Sequence, residues 1–307
     1  MNKRILILGG SGFIGVNLID HFLNCGHEVI VYGRKHPLGE FNNKITFLKA
    51  GFTDISAHKK YLKSLNIDTA IYLINNFPVN SNVPDFEMCL ELNKLLINEV
   101  FDIVERFIFF SSGGRVYKSS HKPHHEDERL RAVCDYGKSK IYLEQFVISC
   151  AYLKCKRFLI VRPSNPYGPH QILTGNQGLI AILLGRIMNG EMIQIWGSGN
   201  EIRDYIYIQD FVQIFYKLFC VENPQFNIYN IGSGIGVSTK TILSTVSQRL
   251  PNYIIQTEYI ENKKTIQSNI LCNKRIIGEI GNYHFTDVNS GIEQFIEWLH
   301  NIDNRKL

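Results

Sequence analysis

The sequence predicts an α/β protein built on a doubly wound parallel sheet. Three observations predict it. Apolar runs of strand length alternate with helical stretches through the first half of the chain. The first run, Ile5-Leu-Ile-Leu, ends in glycines and passes straight into apolar residues at helical spacing, Ile14, Leu18 and Phe22. After Pro163 the chain becomes rich in turn formers, and a second α/β portion follows.

The elements follow in order. Residues 3–8 read as the first strand and about 12–24 as the first helix. A second strand runs over 28–32 and closes at Gly33-Arg34. Residues 45–49 and 69–74 supply the third and fourth strands, and 85–104 a long helix. Residues 106–112 form the fifth strand and enter Gly113-Gly114. A polar loop holding His121, His124 and His125 leads to a helix near 135–153, and 157–162 is the sixth strand. Strands separated by helices of this length call for a parallel sheet with helices on both faces. Beyond Pro163, Ser164-Asn-Pro-Tyr-Gly-Pro169 reads as a loop. Then come a helix at about 177–189, a short strand at 192–196, a strand over 204–208 and a helix over 209–220. A strand over 227–231 is closed by Gly232, Gly234 and Gly236, and a helix, a strand near 253–260 and a last helix complete the chain.

At 307 residues the chain has room for a large core and one or two domains. No apolar run is long enough to span a bilayer, and the first residues lead directly into a strand, so neither a membrane span nor a secretion signal is expected. The seven cysteines are scattered and include no Cys-x-x-Cys, which suits reduced thiols in a cytoplasm. A net charge of +5 without a basic run does not favour nucleic acid, and weakly suits an anionic small substrate. The three histidines lack a helix to fix ligand geometry, so no metal is expected.

Two motifs carry chemistry. Gly9, Gly12 and Gly15 give Gly-x-x-Gly-x-x-Gly between a strand and a helix. Gly9 permits a turn that a Cβ would obstruct, Gly12 lets backbone approach a phosphate, and Gly15 lets the helix pack closely. The amides of the helix start, around Phe13 and Ile14, then face a pyrophosphate. The second motif is Tyr136-Gly-Lys-Ser-Lys140, whose Tyr136 and Lys140 share one helix face. A free phenol titrates near 10 and is a poor base at neutral pH; a neighbouring ammonium lowers that value. The pair is thus a candidate proton-transfer device.

These pieces and their order resemble the extended short-chain dehydrogenase/reductase family, in its sugar-nucleotide epimerase/dehydratase group. The resemblance rests on Gly9–Gly15, Phe110-Ser-Ser-Gly-Gly-Arg-Val-Tyr117, Tyr136–Lys140, Arg162-Pro-Ser-Asn-Pro-Tyr-Gly-Pro169, Trp196-Gly-Ser-Gly-Asn-Glu-Ile-Arg-Asp204 and Tyr229-Asn-Ile-Gly-Ser-Gly234. It implies a Rossmann-type dinucleotide-binding domain over 1–168, completed by strands within 200–232. It also implies a smaller, mainly substrate-binding lobe over 169–307. The implied cofactor is NAD or NADP, and the implied substrate a nucleoside diphosphate sugar; a homodimer is a further expectation. By resemblance, Tyr136 takes a sugar hydroxyl proton, Lys140 tunes it and holds the nicotinamide ribose, and Ser112 orients the substrate. Gly113 occupies the usual place of that Ser or Thr, and Ser111 precedes it on the cofactor side. Asn165 and Arg203 match contacts to the substrate phosphates, and Glu126 matches a glutamate near the sugar. Tyr167 is read either there or in the core.

The chain departs from the family pattern in four places. An acidic residue usual at the end of strand two is replaced by Gly33-Arg34, and Arg34 better suits a 2′-phosphate. The Gly-Asp usual after strand three is Gly51-Phe52, with Asp54 two residues late as the candidate adenine contact. Strand four ends Tyr72-Leu-Ile-Asn75 in place of His-x-Ala-Ala. An arginine usual before the last lobe strand is not evident near Asn262-Lys-Lys264. The expected reaction is hydride transfer at C4 of the hexose, first as a 4-epimerase and alternatively as an NADPH-dependent 4-keto reductase. A 4,6-dehydratase is disfavoured, because Gly113-Gly114-Arg115 lacks the carboxylates of that type. A dinucleotide-binding regulator without turnover is the reading from another class.

Overall fold

The computed structural model describes residues 2–77, 85–132, 134–175, 177–261 and 266–303. Asn262-Lys-Lys264, where an arginine was sought, lies outside the described residues. In chain order the elements are β1 (Arg4–Leu8), α1 (Phe13–Asn24), β2 (Glu28–Gly33), β3 (Thr46–Lys49), α2 (Ile55–Ser64), β4 (Thr69–Tyr72) and α3 (Phe86–Phe101). There follow β5 (Arg106–Phe110), α4 (Gly113–Val116), α5 (Asp135–Leu153), β6 (Arg157–Pro163), β7 (Asn165–Tyr167), α6 (Leu179–Met188), β8 (Ile193–Trp196) and β9 (Ile202–Tyr207). The chain continues with α7 (Ile208–Cys220), β10 (Ile228–Ile231), β11 (Gly236–Ser238), α8 (Thr239–Arg249), β12 (Thr257–Ile260), β13 (Ser268–Asn269), α9 (Lys274–Ile280) and α10 (Val288–Asp303).

Seven strands lie in one sheet, in the order β10-β6-β5-β4-β1-β2-β3. The pairs β1–β2, β1–β4, β2–β3, β4–β5 and β5–β6 are all parallel. The chain steps outward from β1 in one direction and then returns to build from β4 in the other. A doubly wound sheet has its ligand crevice beside such a reversal, at the carboxyl ends of the strands. Strands β1 and β4 are almost wholly buried, as expected where helices cover both sides of a parallel sheet.

The described chain separates into two compact units. The first is Met1–Val116, Leu130–Arg162 and Phe226–Tyr229. Its core gathers Leu6, Leu8, Ile30, Tyr72, Phe107 and Phe109 with helix residues such as Leu96, Val100 and Val147. The second is Tyr117–Arg129, Pro163–Gln225 and Asn230–Leu307. It holds a four-stranded sheet in which β9 pairs with β11, β13 and β7, and a two-stranded sheet of β8 and β12. Its core gathers Tyr167, Leu184, Tyr207, Val246 and Phe295. Among the described residues, no helix is long and apolar enough to cross a membrane.

Several local readings are corrected. The turn-rich Asn165-Pro-Tyr167 is a short strand, because β9 offers it a parallel edge; residues flanking a proline are already biased towards extended backbone. Helix α2 was not anticipated, and its mean hydropathy is low, with two buried positions, Ile55 and Leu62. The strand near 253–260 shortens to Thr257–Ile260, since four-residue β8 pairs only with those positions. Ser111 and Ser112 fall beyond β5, because the Ser112 carbonyl accepts from the amides of Arg115 and Val116 and starts α4.

Candidate active site

Strand β1 runs into Gly9, whose φ of +85° lies in the left-handed region. Its amide donates to the Tyr32 carbonyl at 3.0 Å. A Cβ there would lie 3.0 Å from the Ile74 nitrogen. Both the dihedral and the space demand glycine. A Cβ at Gly12 would meet only the Gly9 carbonyl, at 3.7 Å, so that backbone is open to approach. The first bond inside α1 runs from Val16 N to Gly12 O at 2.9 Å. The amides of Phe13, Ile14 and Gly15 therefore precede the helix's own ladder. No acidic side chain stands in this first turn. Such an end stabilises an anion through its amides and the helix dipole. Gly15 does the packing: a Cβ on it would lie 2.6 Å from the Gly10 carbonyl oxygen.

At the end of β2, Arg34 is exposed. Lys49, also exposed, stands opposite Gly33 in the ladder. Asp54 Oδ2 accepts from the Gly51 amide at 2.7 Å, and the Tyr32 hydroxyl donates to the Gly51 carbonyl at 2.6 Å. Asp54 and Tyr32 thereby fix the Gly51 peptide beyond β3.

Beyond β5, Ser111 is buried and its Oγ finds no hydrogen-bond partner. Ser112 shares a side-chain hydrogen bond with Tyr136. Gly137 makes this meeting possible, since a Cβ there would overlap the Arg115 carbonyl of α4. Burial pushes the Tyr136 phenol above its usual value; Ser112 and Arg115 pull it down, and Cys134 pushes it up. The anticipated lowering by Lys140 is not found. The reason is where its ammonium goes: Lys140 Nζ donates to the Phe110 carbonyl at 3.0 Å and lies 5.7 Å from the Tyr136 ring centre. Lys140 is itself held down at about 8 by burial, which Glu144 opposes.

In the second unit, Asn165 Nδ2 donates to the Asp204 carbonyl at 2.8 Å, tying β7 to β9. Arg203 is half-buried, with Nη1 donating to the Ile202 carbonyl at 2.8 Å. Asp204 beside it is buried. Its carboxylate accepts from Ser233 N and Oγ at 2.9 and 2.8 Å, and from the amides of Leu271 and Gly234 at 3.1 and 3.2 Å. Burial outweighs these bonds and pushes it up to about 6. Asp210 accepts from Tyr283 and Thr286. Both aspartates near Arg203 in sequence thus have other donors. Glu126 is buried, accepts from the Asn230 amide at 2.9 Å and lies 3.7 Å from Arg275. Tyr167 sits in the core. His124 is buried, stacks on Tyr117 with ring centres 4.7 Å apart and bonds Glu128, whereas His121 and His125 are exposed. Among the described residues, no group of three or more His, Cys, Asp or Glu could hold a metal ion.

The family described as the NAD-dependent epimerase/dehydratase family matches residues 5–232. The chain belongs to this family. It is accordingly an enzyme of NAD-linked sugar-nucleotide chemistry. A dTDP-4-dehydro-6-deoxyglucose reductase of Escherichia coli is 32% identical to it, over 95% of this chain and 96% of that one. A putative UDP-glucose 4-epimerase of Methanocaldococcus jannaschii is 25% identical, over 97% and 98%. The crystal structure of UDP-glucose 4-epimerase with UDP-glucose from Thermotoga maritima has the same fold, with a TM-score of 0.88, 24% identity, and coverage of 97% and 99%.

The residues of the first unit fit the dinucleotide that names the family. The open Gly12 backbone, the unlinked amides of α1 and the unpartnered Ser111 hydroxyl are what such a ligand would use. Sequence reasoning passed over Gly137, Arg115, Glu144 and Arg162. Gly137 was visible inside the Tyr136 motif, and Glu144 continues the four-residue spacing of Tyr136 and Lys140; Arg115 and Arg162 stand inside the motifs Phe110–Tyr117 and Arg162–Pro169, which do not say what either side chain meets.

Proposed function

We propose that this protein is a 4-epimerase of a nucleoside diphosphate hexose, acting by hydride transfer at C4. The observation that carries the reading is the Ser112–Tyr136–Lys140 arrangement at the end of β5 and the start of α5. Bound NAD would supply the hydride acceptor and return the hydride to the other face. Tyr136 holds and exchanges the proton of the C4 hydroxyl. Ser112 orients that hydroxyl and the phenol together. Lys140, which does not shift the phenol of the free protein, would act once both ligands are bound, as a cation beside the phenolate and a donor to the ribose. In this reading the first unit binds the dinucleotide through Gly9, Gly12, Phe13, Ile14, Gly15, Asp54 and Ser111. The second contributes Glu126, Asn165 and Arg203 to the sugar nucleotide, with Arg203 as the guanidinium suited to phosphate oxygens. A homodimer and a cytoplasmic location complete the proposal; sedimentation and cell fractionation test them.

A second reading is favoured by Arg34 together with the reductase relative. Arg34 and Lys49 put two exposed cations at the ends of β2 and β3, while the Asp54 carboxylate beyond β3 is held by the Gly51 amide. A 2′-phosphate would be attracted there, which favours NADPH and a single reduction of a 4-keto sugar. The deciding experiment gives the purified protein UDP-glucose with NAD, and a dTDP-4-keto-6-deoxy sugar with NADPH. An epimerase forms the C4 epimer with no net change in reduced-nicotinamide absorbance. A reductase consumes NADPH one for one. The dissociation constants of both dinucleotides, for the parent and Arg34→Ala, test the cofactor. A clear NADP preference lost in the variant supports the reductase; an NAD preference unchanged by it supports the epimerase.

A further inference from the structure

Tyr136, Lys140 and Glu144 recur every fourth residue of α5 and so share one face of it. Glu144 has no part in the chemistry above. It is buried, at 2% exposure, and Arg162 of β6 grips it with two bonds: Nε to Oε1 at 3.0 Å and Nη2 to Oε2 at 2.6 Å. Lys140 and Arg162 are buried as well. Two cations and one carboxylate thus lie under a single helix face. Taking such charges out of water is costly, and an apolar pair of similar volume often holds a fold as well or better. Stability alone does not account for the pair.

The surroundings of Lys140 supply the role. From β5 it meets the Phe110 carbonyl at 3.0 Å and the Phe109 ring at 5.0 Å, neither of which bears a charge. On α5 itself, Tyr136 is protonated at neutral pH and Glu144 carries the negative charge. From β6, Arg162 reaches Glu144. Arg115 of α4 and Cys134 act on Tyr136. From α3, which packs on the same helix, Lys94 lies over Phe146 and pairs with Glu91, while Asp102 takes Lys154 at the far end. Glu144, one turn further along α5, is therefore the carboxylate that acts on Lys140, although its direct ion pair is with Arg162.

We infer that Glu144, clamped by Arg162, is the positioning residue that keeps Lys140 a cation beside Tyr136. The inference rests on the role proposed above for Lys140. Burial favours the neutral amine, and the Glu144 carboxylate opposes it. Because two cations share that carboxylate, Arg162 limits how strongly Lys140 feels it. Removing the carboxylate and removing the guanidinium act on Lys140 with opposite signs. A pair that only held α5 to β6 would show no such opposition.

The experiment follows Lys140 directly. The protein is labelled with carbon-13 at lysine Cε, the Lys140 signal is assigned with Lys140→Met, and its titration is followed by NMR. Glu144→Gln is expected to lower the midpoint by about 1–3 pH units, and Arg162→Gln to raise it. Glu144→Asp keeps the charge and is expected to stay close to the parent. Thermal unfolding identifies the variants that fold, and each folded one carries its own sign. A midpoint unmoved by Glu144→Gln or Arg162→Gln, or moved in the opposite sense, overturns the inference. Turnover of UDP-glucose across the same pH range forms the second arm. The alkaline limb of kcat is expected to follow the Lys140 midpoint, with KM unchanged. A midpoint that moves while the limb stays leaves the Glu144 effect standing and overturns the proposed role of Lys140.

Discussion

Ser112 and Tyr136 share a hydrogen bond across the 24 positions that separate them, and that bond pulls the half-buried phenol down towards a usable range. Burial is the larger influence, so the phenol stays above its ordinary value in the free protein. Tyr136→Phe is expected to lower kcat by about 10²–10⁴ while dinucleotide affinity stays at the parental value. Ser112→Ala removes the downward pull. Its rate at neutral pH should fall by about tenfold, and its pH profile should move alkaline. Full activity in Tyr136→Phe, or an acid shift in Ser112→Ala, contradicts the assignment.

The glycine turn makes a different kind of prediction. Gly15→Ala puts a Cβ 2.6 Å from the Gly10 carbonyl oxygen, so α1 must move away from the turn. Overpacking of this kind costs about 1–3 kcal/mol. The variant should melt earlier and bind NADH about tenfold more weakly. Chemical denaturation and nicotinamide fluorescence measure the two effects; parental values in both would show that the helix tolerates the displacement.

Arg203 separates the two ligands. Losing a charge-assisted bond removes about 1.5–3 kcal/mol, roughly a ten- to hundredfold loss of affinity. Arg203→Ala should show this for UDP-glucose and not for NAD. Calorimetry with each ligand decides, and equal losses for both would point to a folding defect.

Asp204 predicts a pH dependence of stability. Its pKa rises from 3.8 in the unfolded chain to about 6 in the folded one. A raised value means the folded state holds the proton more tightly. Its contribution, about 3 kcal/mol, is then fully present below pH 3.8 and lost as pH rises through 6. The stability gap between the parent and Asp204→Asn should be widest near pH 4 and narrow towards pH 6.5. A gap that widens over that window would mean that the four donors around Asp204 outweigh its burial.

How far the sequence reached follows from how local each feature is. Gly9, Gly12 and Gly15 were legible because dihedral freedom and close approach act over a few residues of backbone. Tyr136 and Lys140 were legible because four-residue spacing fixes a shared helix face. The parallel, doubly wound sheet was legible because strands that alternate with helices of this length call for it; the order of its strands came from the structure. Three matters were decided only by tertiary structure. Glu126 meets the Asn230 amide 104 positions away, and Glu144 meets Arg162 on another element. The Tyr136 phenol rises because packing removes its water, and Lys140 turns to the Phe110 carbonyl instead of the phenol. Asn165-Pro-Tyr167 becomes a strand because β9 lies beside it. Burial, counter-charge and a free strand edge all come from residues distant in the chain, and no local pattern encodes them.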